Sequence, residues 1–363
     1  MTARERRTTE ERVREAVARA TGRGDLAGAP VRRLAGHASM RSYWRVGTFA
    51  PGPPSSHVVM VMPPDPRPEE VTKGGAPGVD PFVDVQGFLR RLGVRVPEIV
   101  AFYRDDPEGG LMVLEDLGDE TLEARLLSGG AGGRPASSWE GLYRIAVENL
   151  ARLREAAARS PERCVAHTRS FDLDLYRWEL DHFREWLLEA WKGARLSPAE
   201  RGVVDREFDR LARRLAAEPP GFTHRDYQSR NLMVLPSGEL AVIDFQDALL
   251  GPAAYDLVAL LRDSYVELPD DLVERSLLHY LASGGGGAGV PYPALREVFD
   301  RLTVQRKLKD AGRFVYIDRV KGNPGFLRSI PASLRYVRQA FARLPDLREL
   351  QEVLARHVPE LAP

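Results

Sequence analysis

Cys164 is the only cysteine in 363 residues, so the chain has no internal disulfide and no cysteine-based zinc site, and a reducing cytoplasm is the compartment that fits. Charge of one sign is missing too: 52 Lys and Arg balance 52 Asp and Glu. That leaves no overall field to draw nucleic acid or an anionic membrane, and neither is expected as a partner. No apolar run approaches the ~20 residues a membrane helix needs. The opening stretch M-T-A-R-E-R-R-T-T-E-E-R mixes both charge signs and lacks the apolar core of a signal peptide. No repeat of solenoid period is present. What remains is a chain with 43% hydrophobic and 29% charged residues, long enough to bury a sizeable core and to fold as two lobes.

The informative stretch runs from Phe222 to Asp256. It reads F-T-H-R-D-Y-Q-S-R-N-L-M-V, a turn at Pro236 to Gly238, then L-A-V-I-D-F-Q-D-A-L-L-G-P-A-A-Y-D. Asp226 follows a His-Arg pair, Asn231 stands five residues later, and Asp244 closes an apolar run. This is the spacing of a phosphoryl-transfer catalytic loop followed by a metal-holding strand end. A hydroxyl attacking the γ-phosphate of ATP must lose its proton near the transition state, and a carboxylate within hydrogen-bond reach accepts it; Asp226 is the candidate base. Mg²⁺ takes oxygen ligands and retains waters, so one carboxylate and one amide oxygen suffice on the protein side. Asp244 and Asn231 fit those roles. Leu232 to Leu235 and Leu240 to Phe245 read as a hairpin that brings the two to the same end. A bare H-R-D can also be a helix-cap accident, but the Asn offset and the hairpin favour the catalytic reading. His224 and Arg225 are assigned support, holding the backbone so that Asp226 points into the cleft.

At these residues a resemblance emerges. H-R-D-Y-Q-S-R-N-L-M-V, I-D-F-Q-D-A-L-L-G-P-A-A-Y-D-L and L-L-R-D resemble the aminoglycoside-phosphotransferase-like kinases. Within that group the sequence is most similar to bacterial cell-wall-recycling sugar kinases, which phosphorylate N-acetylmuramate and N-acetylglucosamine at the anomeric carbon. The resemblance runs from about Ala35 to about Arg338 and is most specific between His224 and Asp263. It implies an α+β, two-lobed protein-kinase-like fold, ATP and Mg²⁺ as cofactors, and a small-molecule sugar as acceptor.

Taken in order, Thr9 to Thr21 carries Val13 and Val17 among charges, the pattern of a short amphipathic helix. In V-R-R-L-A-G-H-A-S-M-R-S-Y-W-R-V a turn around Gly36 to Met40 separates two strand-like runs. A-S-x-R-x-Y-x-R-V resembles the phosphate-covering loop of the sugar kinases, which implies nucleotide contacts from Ser39, Met40 and Arg41. Val58 to Met62 is an apolar strand. Kinases usually place there a lysine that neutralises the α- and β-phosphates, and here the position holds Met62. Arg41 and Arg45 are the nearest replacement cations, solvated surface arginines being the competing reading, and Arg41 is assigned the phosphate. Lys73 to Pro81 reads as a loop and Phe82 to Leu92 as a first-lobe helix stopped by Gly93.

I-V-A-F-Y and L-M-V-L-E-D-L-G follow as strands. The exit at Glu115 to Leu117 is the expected adenine-binding hinge, equally readable as a plain linker. The expected lobes are residues 1–117 and 118–363, with the hinge at 115–118. Beyond Gly118 the chain reads as helical: Thr121 to Leu127, a glycine-rich loop at Ser128 to Gly133, Trp139 to Ala158, Phe171 to Trp191, and a helix begun by the capping box S-P-A-E at Ser197 to Glu200. Gly251 and Asp256 follow Asp244 too closely for the long activation segment of protein kinases, which argues for a small-molecule acceptor. Asp256 reads as a capping residue that fixes the loop. The Gly-rich G-G-G-G-A-G follows, and then Leu302 to Val320 carries a basic run. It is either a solvated helix face or an acceptor site tolerant of anionic groups. Q-R-K-L-K-D-A-G-R-F resembles the sugar kinases at this place, which implies acceptor contacts from Arg306, Lys309 and Arg313, with Arg262 of L-L-R-D beside them. Two further readings stay open. An aminoglycoside or other small-alcohol kinase would want an acidic acceptor cleft, to which the basic run is poorly matched. A nucleotide-binding pseudokinase scaffold has only the missing strand lysine in its favour. Oligomeric state is not set by the sequence.

Overall fold

A computed structural model describes residues 8–34, 41–48, 55–62, 79–106, 108–128, 139–287 and 289–363. Ser39 and Met40 of the expected phosphate-covering turn, most of the Lys73 to Pro81 loop and most of the Ser128 to Gly133 loop lie outside the described residues. Helix α1 (Thr9–Thr21) starts at a reciprocal capping box between Thr8 and Glu11 and ends at Gly22, whose φ of 68° is the left-handed conformation that glycine tolerates. Strands β1 (Val31–Arg33), β2 (Ser42–Thr48) and β3 (Ser55–Val61) follow, then helix α2 (Pro81–Arg91) and strands β4 (Ile99–Tyr103) and β5 (Leu111–Glu115). The strands form one antiparallel sheet in the order β1-β2-β3-β5-β4. Alternation along each strand divides its side chains between two faces. Val46, Val59, Leu111 and Val113 pack with Val13 and Val17 of α1, whereas Met60, Met112 and Leu114 join the main core with α2.

Helix α2 belongs to the first lobe by chain order, yet it is fastened to the second. Asp80 caps it by accepting from the Phe82 and Val83 amides. Phe82 then meets Phe245 with ring centroids 4.8 Å apart, Phe88 meets Phe222 at 5.5 Å, and the Asp84 carboxylate accepts from the Val165 amide at 2.6 Å. Burying two phenylalanines at such a seam contributes about 1.5–3 kcal/mol each. The joint fastens α2 to the second lobe.

The second lobe contains helices α3 (Leu122–Leu127), α4 (Glu140–Arg159), α5 (Leu173–Phe183) and α6 (Pro198–Ala216), strands β6 (Gly221–Thr223), β7 (Leu232–Val234), β8 (Leu240–Val242) and β9 (Leu249–Gly251), and helices α7 (Tyr255–Leu261), α8 (Asp270–Ala282), α9 (Tyr292–Lys321), α10 (Ile330–Phe341) and α11 (Arg348–His357). The stretch expected as one helix from Phe171 to Trp191 begins later, because Asp172 caps α5 by accepting from the Leu175 amide, and it widens into a π-helix over Arg184–Trp191. Ser197 and Glu200 form the expected capping box at α6. Strands β7 and β8 make the expected hairpin, and β6 pairs with β9 on its flank. Helix α9 runs 30 residues through the lobe and is buried on nearly every side. It crosses α5 so closely that a Cβ on Gly312 would lie 2.7 Å from the Phe183 Cα. The whole is a two-lobed α+β fold.

Candidate active site

The turn His224-Arg225-Asp226 is held from three directions. Arg225 has φ of 78°, a costly conformation for a residue with a Cβ. From α7, the buried Asp256 carboxylate accepts from the His224 amide at 2.7 Å and the Arg225 amide at 2.9 Å. From the hairpin, Ile243 offers its carbonyl 3.1 Å from His224 Nε2, while His224 Nδ1 lies 3.2 Å from the Asp226 amide. Those bonds require a neutral imidazole protonated on Nε2, in keeping with the burial that pushes its pKa down. From α9, Arg306 reaches both Asp226 and the Arg225 carbonyl. Farther along, Ser229 donates from its amide and hydroxyl to Asp263, and Tyr227 Oη donates to the Ala146 carbonyl. Asp256 lies in the first turn of α7 and Asp263 just beyond its C-terminal end, so the two ends of that helix anchor the two ends of the loop. Asp256 thus fixes the loop as expected but does not cap its own helix; that terminus has Ala254 at the cap position with no side-chain bond.

Asn231 and Asp244 meet at one end of the hairpin. Asn231 Nδ2 donates to the Asp226 carbonyl at 2.9 Å and to Asp244 Oδ2 at 3.4 Å. Asp244 has φ of 63°, a second strained position beside the first. Gln246 Nε2 bridges Asp244 and Asp247 at 2.9 and 3.1 Å. Close packing and the nearby charges of Asp226 and Asp247 raise the Asp244 pKa, with Arg41 opposing. Such crowded negative charge calls for a cation, and the donor set is all oxygen, as Mg²⁺ prefers. Among the described residues no group of three or more His, Cys, Asp or Glu could hold a metal; Asn231 and Asp244 are the residues that would hold Mg²⁺ if it arrived with a nucleotide.

Asp226 itself is half-buried. Burial would raise its pKa, but the charges of Arg306, Lys309 and Arg225 outweigh that and hold it down at about 2, so the carboxylate is ionised at neutral pH. The basic run of α9 is therefore no solvated face: Arg306 and Lys307 are each 2% exposed. Lys307 and Lys309 both reach Asp310, at 2.8 and 3.3 Å. Arg313 lies over the Tyr316 ring at 5.0 Å. Arg262 has a different setting, stacked over Tyr336 and paired with Asp270 at 3.0 Å.

On the first-lobe side, Arg41 hydrogen-bonds Tyr43, and its charge is felt at Asp244. Arg45, the other candidate replacement for the strand lysine, is buried against Asp116 and Asp119, each at 2.6 Å, and donates to the Gly118 carbonyl. It staples the sheet to the segment that follows β5. Glu115 gives its carboxylate to Arg95 and to the Glu98 amide, and half-buried Leu117 follows at the lobe junction. Sequence reasoning missed Asp263, Gln246, Tyr43 and Glu179, the last buried between Gln305 at 2.6 Å and Arg225 at 3.5 Å. Asp263, Gln246 and Tyr43 lie inside the strings L-L-R-D, I-D-F-Q-D and A-S-x-R-x-Y-x-R-V that carry the resemblance, whereas no motif contains Glu179.

Comparison with known proteins identifies the family. A family model described as the phosphotransferase enzyme family matches residues 30–298. The N-acetylmuramate/N-acetylglucosamine kinase of Pseudomonas aeruginosa is 35% identical over 342 residues, covering 93% of this chain and 91% of that protein. The structure of choline kinase LicA from Streptococcus pneumoniae matches with a TM-score of 0.56 at 17% identity, over 92% of this chain and 99% of that one. An ADP-bound aminoglycoside phosphotransferase matches with a TM-score of 0.54 at 12% identity, over 91% and 98%. At those identities the two structures speak for the fold alone.

Proposed function

This chain belongs to the phosphotransferase enzyme family, and from that premise we propose that it transfers the γ-phosphoryl group of ATP to the anomeric hydroxyl of an N-acetylhexosamine, N-acetylglucosamine, N-acetylmuramate or both. The observation that carries the reading is the convergence of Asp226, Asn231 and Asp244, with Asn231 bonded to both neighbours. Asp226 accepts the hydroxyl proton as the new O–P bond forms and the bond to ADP breaks. Asn231 and Asp244 would hold Mg²⁺, which would offset the charge of the phosphates. Arg41 faces the phosphates in place of the strand lysine, and backbone groups around Glu115 to Leu117 take the adenine. The lobes divide at that hinge, residues 1–117 and 118–363.

Sugar as acceptor is supported by the 35% identical relative and by charge. Arg225, Arg306 and Lys309 all act on Asp226, a surrounding that would repel a polycationic aminoglycoside and tolerate a carboxylate. Lys309 and Arg313 follow Arg306 on one face of α9 by helical spacing, and we assign them to the lactyl carboxylate of N-acetylmuramate. Arg262, tied to Asp270, is left out of the acceptor site. An anomeric hydroxyl is more acidic than the ring's other alcohols, which suits a base of low pKa such as Asp226. The test compares ADP release with each free sugar and with its methyl glycoside. Free sugars turn over and glycosides do not; comparable turnover of the glycosides overturns the anomeric assignment.

A further inference from the structure

The proposal above treats Asp226 as the base, and on that footing we infer that Arg306 is the residue that positions it, holding one carboxylate oxygen so that the other faces the acceptor. Nothing in H-R-D or its spacing points to a partner 80 residues later in the chain. The geometry does. Arg306 Nη2 lies 2.9 Å from Asp226 Oδ1, and Nη1 donates to the Arg225 carbonyl at 2.7 Å. One planar fork therefore grips both the catalytic carboxylate and the strained peptide just before it, which a lysine's single ammonium cannot reproduce. With Oδ1 occupied, Oδ2 is the oxygen left to receive a proton.

The guanidinium is itself fixed. It lies over the Tyr255 ring at 4.9 Å, and its Nε stands 4.0 Å from Asp310 Oδ2. Asp310 in turn holds the ammonium groups of Lys307 and Lys309, and Lys307 Nζ also reaches Ser264. A side chain only 2% exposed, with two of its nitrogens engaged on the catalytic turn, has little surface to offer a substrate. The buried charge cluster of α9 thus orients the loop from behind. That separates Arg306, bonded to the loop through two nitrogens, from Lys309 and Arg313, which share its face of the helix.

Steady-state kinetics with N-acetylglucosamine and Mg-ATP test this in Arg306→Gln, Arg306→Lys, Asp226→Asn and the Arg306→Gln/Asp226→Asn double variant, each with its melting temperature. Loss of positioning lowers kcat by roughly 10- to 100-fold while KM for sugar and for ATP stays within about three-fold. Arg306→Lys, which keeps the charge and loses the fork, recovers only part of that loss. The double variant turns over no more slowly than Asp226→Asn, since Arg306 acts through Asp226. If Arg306→Gln does not fold, the Lys variant carries the same cycle. A raised sugar KM at unchanged kcat makes Arg306 a substrate ligand and overturns the inference; so do losses that multiply in the double variant. Wild-type turnover of Asp226→Asn instead removes the base assignment beneath it.

Discussion

Gly312→Ala is the substitution whose consequence can be worked furthest from the coordinates. An added Cβ would stand 2.7 Å from the Phe183 Cα and 2.8 Å from the His182 carbonyl oxygen, where ordinary contact begins at 3.4 Å. Both neighbours are backbone, so no rotamer relieves the clash, and α9 must move off α5 by about 0.7 Å. Six residues earlier on the same helix, about 9 Å along its axis, sits Arg306. Overpacking costs about 1–3 kcal/mol, against about 1 kcal/mol gained from replacing a helical glycine. The expected net loss is thus about 0–2 kcal/mol, a drop of a few degrees in Tm. Turnover is more sensitive. Since a 1 Å misplacement costs ~10²-fold, a shift transmitted to Asp226 should lower kcat roughly 10- to 30-fold with little change in KM. Gly202→Ala on α6 is the control, because nothing lies within 4 Å of its would-be Cβ; it should raise Tm slightly and leave turnover alone. Melting curves and steady-state rates on the three proteins decide the matter. Turnover of Gly312→Ala within about two-fold of wild type would show that α9 yields without disturbing the catalytic turn.

Asp244→Ala should abolish the Mg²⁺ dependence of nucleotide binding, measured by calorimetry with and without metal, because it removes the carboxylate of the metal pair. Arg41→Ala should weaken ATP far more than adenosine, since only ATP has phosphates to lose; equal losses would mark the residue as structural. Ser197→Ala removes the capping box of α6 and should cost about 1 kcal/mol in denaturant melts. The Ser197 amide and then its hydroxyl hold the Glu200 pKa down at about 2, from 4.5. The lowered folded pKa makes the Glu200 contribution complete above about pH 4.5 and progressively lost as pH falls toward 2. In acid melts the gap between Ser197→Ala and wild type should narrow without closing, because the Glu200 amide still donates to the Ser197 hydroxyl when the carboxyl is protonated; a gap that widens there would contradict the linkage.

Much of this architecture was legible because its signals are local. The β7–β8 hairpin, the S-P-A-E cap and the Val13/Val17 stripe each depend on residues within a turn or two of one another. The H-R-D-x-x-x-x-N spacing likewise brings Asp226 and Asn231 together through a short loop. What escaped depends on partners far apart in sequence. Periodicity shows that α2 has an apolar face but not that Phe245 and Phe222 of the other lobe receive it. The basic run of α9 reads equally as a solvated face, since lone charges belong in water, or as an acceptor site; Arg306 and Lys307 are buried because Asp226 and Asp310 neutralise them. Arg45 and Arg41 stand four residues apart with the same chemistry, and only the fold separates the one bonded to Asp116 and Asp119 from the one beside Tyr43. Asp256 sits where a cap is expected and instead serves a loop some thirty residues earlier.

The most direct test is Asp226→Asn, followed on two axes at once: Mg-ATP affinity by calorimetry, and sugar-dependent ADP release with N-acetylglucosamine and N-acetylmuramate. Asn keeps the shape of the side chain and removes the proton acceptor. Nucleotide affinity should stay within a few-fold of wild type while turnover falls by roughly 10²-fold or more. Turnover near wild type, with nucleotide binding intact, would contradict the assignment of Asp226 as the base.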